Sequence, residues 1–290
     1  MPEGDTVLRT ARRLHAAFAG EVLRRTELRW GERDADVLVG ATTSEVVARG
    51  KHLLHRTESG WTLHSHLRME GSWRIAAASE PVPHRADVRA VLATDVWTGL
   101  GLRLGMLDLV RTDDEHRLVG HLGPDVLGAD WDEDLAVAHL LASPTTIGAA
   151  LLDQRNLAGV GTLYCSESLF LEKMQPWTPA RDLAEADVRR VVRRAHRLLH
   201  ANVEHAVQST TGSRRVGESV HVHARSGRAC RRCRGSVRVA MIGPPTQERT
   251  MFYCPTCQGG LAPNDDGARQ QPLGTGPAKR RRGYIARGRG

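Results

Sequence analysis

No apolar run in the 290 residues is long enough to cross a bilayer, and no leader-like pattern precedes the first helical stretch. Membrane-embedded and exported classes drop out, and a cytoplasmic protein is expected. Internal repeats are missing too, which excludes repeat architectures. Cysteine is scarce and unevenly placed. Cys165 stands alone, and the other four form two Cys-x2-Cys pairs, Cys230/Cys233 and Cys254/Cys257. In a reducing compartment such pairs argue for a metal rather than disulfides. Periodicity is absent after residue 260, so residues 261–290 are expected to be a disordered basic tail. That tail carries seven Lys/Arg against Asp265 and Asp266, so much of the formal +8 lies there and the body is only mildly basic. The charge suits a polyanion such as nucleic acid, although a solvated end is the plainer reading of the tail itself.

What is present organises into two medium units with a small appendage. Val7, Ala11, Leu14 and Phe18 recur at helical spacing, with Arg9, Arg12 and Arg13 on the outer face. Asp5 or Thr6 is the expected cap and Gly20 the stop. Short alternating segments follow at Glu45–Ala48, His52–Arg56, Trp61–Leu67, Ser72–Ile75, Asp87–Ala93 and Leu102–Val110, a β-sandwich or barrel pattern. Asp130–Asp134 reads as a linker into a helical half. That half closes on a long helix from Asp182 to about Val207, with an Asp182/Glu185 capping pair and the apolar stripe Val188, Val191, Val192, Ala195, Leu198, Leu199, Val203, Ala206.

The chemistry-bearing positions begin at the N-terminus. Removal of Met1 would expose the secondary amine of Pro2 beside the carboxylate of Glu3. Such an amine adds to an aldehyde carbon to give an iminium, an electron sink, and the carboxylate can move protons. A following helix N-terminus disfavours the ammonium form. The paired cysteines, 20 residues apart around a potential hairpin at Gly243-Pro244-Pro245, make a closed tetrahedral thiolate site for a structural zinc ion, with Arg228 and Arg249 alongside. Leu152–Tyr164 reads as a helix end, a glycine turn at Gly159 and Gly161, and a new helix start. It serves either as a phosphate cradle or as an ordinary helical corner. Arg49-Gly50-Lys51 puts a lysine on a hairpin. His66-Leu67-Arg68-Met69-Glu70-Gly71 follows a strand and offers Met69 as an apolar wedge.

Taken in order, Pro2-Glu3-Gly4, Arg49–Leu54 (RGKHLL), Ser65–Gly71 (SHLRMEG), His121–Gly128 (HLGPDVLG), Asp153–Tyr164 (DQRNLAGVGTLY) and the four-cysteine segment resemble the formamidopyrimidine-DNA glycosylase/endonuclease VIII family over roughly residues 2 to 258. The resemblance implies an α+β multidomain fold. An N-terminal helix and β-sandwich would span residues 1–125, a helix–two-turn–helix domain 126–222 and a zinc finger 223–260, with the tail beyond. It implies a nucleotide flipped out of damaged double-stranded DNA. Pro2 would attack C1′, Glu3 would handle protons, and Lys51 would contact phosphate and assist protonation. β-Elimination, followed by δ-elimination, would then cut the strand. His66 would meet a backbone phosphate, Met69 would fill the vacated space, and Gly161, Thr162 and Arg249 would hold flanking phosphates. One structural zinc, a monomer and a nucleoid-associated cytoplasmic location complete the expectation.

The departures are specific. Thr162 stands where the family usually has Asn, and Thr6 stands where it often has a second Glu. The Asp-Pro-Arg-Arg-Phe-Gly loop of the oxidised-purine branch is replaced by Gly99–Asp108, which favours the endonuclease VIII branch and oxidised pyrimidines. That branch's Gln-Leu-Tyr wedge is here Arg68, Met69 and Glu70. An abasic-site lyase with weak glycosylase activity, and a non-catalytic damaged-DNA binding module, remain the alternatives.

Overall fold

The computed structural model describes residues 2–30 and 35–272. Helix α1 runs Gly4–Phe18 and buries Val7, Ala11, Leu14 and Phe18, as the spacing requires. It begins earlier than Asp5 or Thr6 could cap it, because Asp5 is drawn inward to other partners. The next elements are β1 (Arg25–Leu28), β2 (Thr43–Arg49), β3 (His52–Thr57), β4 (Trp61–His66), β5 (Ser72–Ala77), β6 (Val88–Ala93), β7 (Trp97–Leu102) and β8 (Met106–Arg111). They form two antiparallel four-stranded sheets, ordered β1-β6-β7-β5 and β2-β3-β4-β8. Helix α1 packs its apolar face into the core between them, against Leu23, Val46, Leu53, Leu63 and Trp73.

The expected strand Leu102–Val110 corresponds to β8 and the crossing before it, and β7 lies outside it except for Leu102. Its apolar alternation, Leu102, Leu104 and Met106, changes phase to Leu107 and Leu109 where the chain changes sheets. Arg103 adopts a left-handed φ of 47°, Leu104 drops into the core, and the Gly105 N–H is taken by the His66 carbonyl at 2.8 Å. A shift of phase by one residue turns the side chains to the other face, and the Met106–Leu107 step is the trace that the crossing leaves in the sequence.

The helical half comprises α2 (His116–Val119), α3 (Glu133–Ala142), α4 (Ile147–Leu152), α5 (Thr162–Leu171) and α6 (Glu185–His200). Asp130–Asp134 is not simply a linker: Asp132 caps α3, accepting the Leu135 N–H at 2.9 Å. Helix α6 is shorter than expected. Asp182 lies in a preceding 3₁₀ turn, Ala184 occupies the cap position, and the helix stops at His200. The stripe Val188, Val191, Val192, Ala195 and Leu199 joins Leu140, Leu151, Leu163 and Tyr164 in a second core. Strands β9 (Arg238–Ile242) and β10 (Arg249–Tyr253) form the hairpin between the cysteine pairs, followed by the short α7 (Pro255–Gln258).

Residues 261–272 depart most from expectation. Arg238 and Asp265 form a buried ion pair, the Tyr253 hydroxyl donates to Asp265, and Gln270 pairs its amide with both backbone groups of Val239. This strap closes the free edge of β9, where unpaired backbone groups would otherwise sit. Residues 273–290, most of the expected tail, lie outside the described residues.

Candidate active site at the seam between the two halves

Glu3 is the residue around which the seam is built. It immediately precedes α1, is 1% exposed, and points across to the start of α5. Its carboxylate accepts the N–H groups of Gly161 at 2.7 Å, Leu163 at 2.8 Å and Tyr164 at 3.4 Å. These are the orphan donors of a helix N-terminus, which attract negative charge. Gly161 is obligatory for this approach, since a Cβ there would lie 2.6 Å from the Glu3 carboxyl carbon. The residues alone leave the Gly161 turn open between a phosphate cradle and a helical corner, and the family resemblance implies the phosphate. Here the anion held by that N–H is Glu3, delivered by its own chain. Thr162, directly after it, is buried.

Lys51 reaches the same place from the β2–β3 turn. Its Nζ donates to the Val160 carbonyl at 2.6 Å. Burial pushes the Glu3 carboxyl above its ordinary range, opposed by the Lys51 ammonium. Burial likewise pulls Lys51 below its ordinary range, against Glu3 and reinforced by Arg249. Burial thus works against the charged form of both groups at the Gly159–Gly161 turn, and Pro2, half-buried, precedes Glu3 in the chain.

Several residues that make this possible carry no motif of their own. The Gly4 N–H donates to the Gly159 carbonyl at 2.9 Å, locking α1 onto the glycine turn. Gln154 braces that turn, donating to the Val160 carbonyl at 2.9 Å and accepting from the Gly159 N–H at 3.1 Å. Asp125 accepts the Gly50 N–H at 2.7 Å and so fixes the lysine turn; burial raises its carboxyl. Asp5 accepts from the Tyr164 hydroxyl at 2.7 Å and from Gln208 at 2.9 Å, tying α1 to α5 and to the loop after α6. Glu167, fully buried on α5, accepts the N–H groups of His221, Val222 and His223 at 2.8, 2.7 and 2.8 Å and holds the chain entering the finger. An acid inside the otherwise uncharged stretch Thr162–Leu171 was the signal available for Glu167.

The remaining candidates sit around the seam. His66 ends β4, and its Nδ1 accepts the Arg68 N–H at 2.9 Å, which leaves Nε2–H as its outward donor while neutral. Burial draws the ring's pKa down to about 4. Met69 is 67% exposed on the turn after β4, and neighbouring Glu70 is paired with Arg103 at 3.4 Å. Arg249 opens β10 and lines a cleft of about 650 Å³ together with His121, Gln154 and Arg155.

The four cysteine sulfurs lie within 4.8 Å of one another, with Cys230–Cys257 at 3.9 Å and Cys233–Cys254 at 3.5 Å. Four thiolates bound about 2.3 Å from one tetrahedral ion would sit about 3.8 Å apart, so the donor set fits such an ion. Phe170, Val222, Val237 and Phe252 pack around the cluster.

The model of the formamidopyrimidine-DNA glycosylase N-terminal domain matches residues 1–108, and that of the formamidopyrimidine-DNA glycosylase H2TH domain matches residues 122–214. The probable endonuclease 8 2 of Streptomyces coelicolor is 47% identical over 270 residues, covering 92% of this chain and 97% of its own. The DNA-(apurinic or apyrimidinic site) lyase Nei2 of Mycolicibacterium smegmatis is 41% identical over 259 residues, covering 89% and 99%. The same fold is found in the Lactococcus lactis formamidopyrimidine-DNA glycosylase solved with abasic-site DNA, at a TM-score of 0.76 and 24% identity over 89% of this chain and 100% of that one. With both domain models matched in order and such relatives aligned over nearly the whole chain, this protein belongs to the formamidopyrimidine-DNA glycosylase/endonuclease VIII family of DNA glycosylases and abasic-site lyases.

Proposed function

We propose that this chain excises oxidised pyrimidines from double-stranded DNA and cleaves the resulting abasic site through a Schiff base on Pro2. The observation that carries the reading is the convergence of the Pro2–Glu3 head of α1 and Lys51 on the Gly159–Gly161 turn. Once Met1 is removed, the Pro2 nitrogen attacks C1′ of the flipped nucleotide. The glycosidic electrons leave with the base, and the ring-opened sugar remains as an iminium. Glu3, its carboxyl raised by burial, shuttles protons during ring opening and removal of the C2′ proton. Lys51, its ammonium made more acidic by burial, holds the adjacent phosphate and protonates the departing oxygen or base. β-Elimination then breaks the strand on the 3′ side, and δ-elimination on the 5′ side.

In this reading the neutral Nε2–H of His66, the Thr162 hydroxyl and Arg249 meet backbone phosphates, and Met69 enters the stack. Cys230, Cys233, Cys254 and Cys257 would hold one structural zinc ion that clamps the β9–β10 hairpin, and Arg249 with it. A monomer suffices for this chemistry. The described residues contain no helix long and apolar enough to cross a membrane. The pyrimidine preference rests on the resemblance to the endonuclease VIII branch and on the replacement of the purine-branch loop by Gly99–Asp108.

A second reading, an abasic-site lyase with weak base excision, is favoured by one observation: the Gly161 amide is held by Glu3, so phosphate grip at this turn falls to fewer groups. Borohydride trapping decides between them. Processed protein is incubated with duplexes bearing thymine glycol, 5-hydroxyuracil, 8-oxoguanine or an abasic site, with Pro2→Ala as control. Adducts on the pyrimidine lesions support excision, and adducts at the abasic site alone support the lyase. No adduct on any substrate leaves a DNA-binding module.

A further inference from the structure

Beside the seam, the structure gathers four histidines at one end of the β2-β3-β4-β8 sheet. His52 and His66 are cross-strand partners on β3 and β4, with rings 5.0 Å apart edge to face. His52 also stacks on His64 at 5.0 Å, and its Nδ1 lies 2.8 Å from His64 Nε2. His64 is fully buried, and its Nδ1 lies 3.0 Å from a carboxylate oxygen of Asp108 on β8. His121, just after α2, faces His52 edge-on at 6.4 Å and lines the same cleft as Arg249.

Hydrogen-bond chemistry gives this chain a direction. An ionised carboxylate only accepts, so His64 Nδ1 carries the proton. A neutral His64 then accepts at Nε2, and His52 must donate from Nδ1. His52 Nε2 is left as a basic nitrogen. A proton arriving there needs no rearrangement, because the Nδ1–H already points down the chain to Asp108. The groups facing His52 are His64, His66, His121 and Arg68; Arg68, Lys51 and His64 face His66; Asp108 and Glu115 face His64. Without an anion, burial and these basic neighbours hold His52 down to about 3 and His66 down to about 4. A phosphodiester is the charge missing from that balance. An opposite charge within about 4–6 Å raises a basic group by one to three units.

We propose that His52, His66 and His121 together seat one backbone phosphodiester of bound DNA, and that the Asp108–His64–His52 chain lets this cluster take up a proton as the phosphate arrives. Asp108 and His64 are positioning residues in this scheme, since they act through His52. The proposal deepens the DNA-binding reading above and rests on it.

Calorimetry tests it with the full-length, processed, metal-loaded protein and a duplex carrying a tetrahydrofuran abasic analogue that cannot be cleaved. Binding enthalpy is measured at pH 6 and constant salt in buffers of different ionisation enthalpy, whose slope counts protons taken up. The expected uptake is roughly half a proton or more, which by linkage makes binding at least about twofold tighter at pH 6 than at pH 8. Asp108→Asn keeps an acceptor for His64 but removes the charge. It should lose more than half of the uptake and most of the pH dependence while binding normally at pH 8. His52→Gln should lose the uptake too, but with weaker binding at both pH values because a phosphate ligand is gone, and it covers the case in which the Asp108 variant fails to fold. A buffer-independent enthalpy in the unmodified protein, or full uptake in both variants, overturns the proposal. Failure to bind the duplex at any pH overturns the function itself, which is a separate result.

Discussion

The Lys51 ammonium and the Gln154 amide share one acceptor, the Val160 carbonyl, at 2.6 and 2.9 Å. The sharing separates two roles that a single substitution would otherwise confound. Lys51→Met leaves the carbonyl bonded to Gln154, so unfolding free energy should fall by only about 1 kcal/mol. Single-turnover strand cleavage should fall by about 10²- to 10⁴-fold, the usual worth of a positioned acid. Cleavage within threefold of the unmodified protein would remove Lys51 from the mechanism.

Gly161→Ala tests the seam while every proposed catalytic side chain is retained. The added methyl would meet the Glu3 side chain, with the carboxyl carbon at 2.6 Å and Oε1 at 2.7 Å. Glu3 must swing off the α5 N-terminus, and its proton-handling position goes with it. Borohydride trapping should slow at least about 100-fold, since small misplacement of a reacting group is costly. Circular dichroism and zinc content should stay unchanged. Trapping at the original rate would show that the Glu3–α5 contact is dispensable.

The shifts of Glu3 and Lys51 predict a narrowed pH profile. Cleavage needs Glu3 ionised and Lys51 protonated, so the rate rises with pH through the first and falls through the second. The acid limb should lie above 4.5, because burial raises Glu3, and the alkaline limb below 10.5, because burial lowers Lys51. Glu3→Gln should leave an acid limb set by the Pro2 amine alone, and Lys51→Arg should push the alkaline limb upward. Limbs at the ordinary values would mean that neither group is buried when the reaction occurs.

Asp265 carries a stability that appears only at the level of the fold. The Arg238 guanidinium holds its carboxyl down to about 2, from the usual 3.8. A depressed carboxyl stabilises the folded chain above its unfolded value, and this is lost as pH falls from about 4 to about 2. The shift corresponds to about 2 kcal/mol. Asp265→Asn should therefore lower stability by at least that much at pH 7, measured by urea denaturation, and the difference should vanish near pH 2. An equal difference at both pH values would place the effect in packing rather than charge.

The N-terminal helix, most strands, the glycine turn and the cysteine pairs were legible because each is written in local residues: a period, a turn residue or a ligand spacing. The partners of Glu3, Asp5 and Glu167 were not, since each lies more than 40 positions away and an isolated acid looks the same whether solvated or buried. Strand β1 was missed because Arg25–Leu28 is too short and too charged to show alternation. Residues 261–272 read as disordered for a related reason. Their order comes from Arg238, Tyr253 and Val239 on the hairpin, and a strap bound mainly by polar contacts has no hydrophobic period to display.

That strap changes what a truncation means. Ending the chain after residue 260 removes both the basic tail and the partners of Arg238, which would be left as a buried unpaired charge. Ending it after residue 272 removes only the tail, with Lys279, Arg280, Arg281, Arg282, Arg287 and Arg289. The shorter protein should lose several kcal/mol of stability and bind the abasic duplex more weakly, because the hairpin bearing Arg249 loses its brace. The longer one should keep its stability, and the salt dependence of its binding should match that of the full chain if the tail is merely solvated. A shallower slope of log affinity against log salt after the cut at 272 would instead show tail charges releasing counterions from DNA. Equal behaviour of the two truncations would show that the strap does not support the grip on DNA.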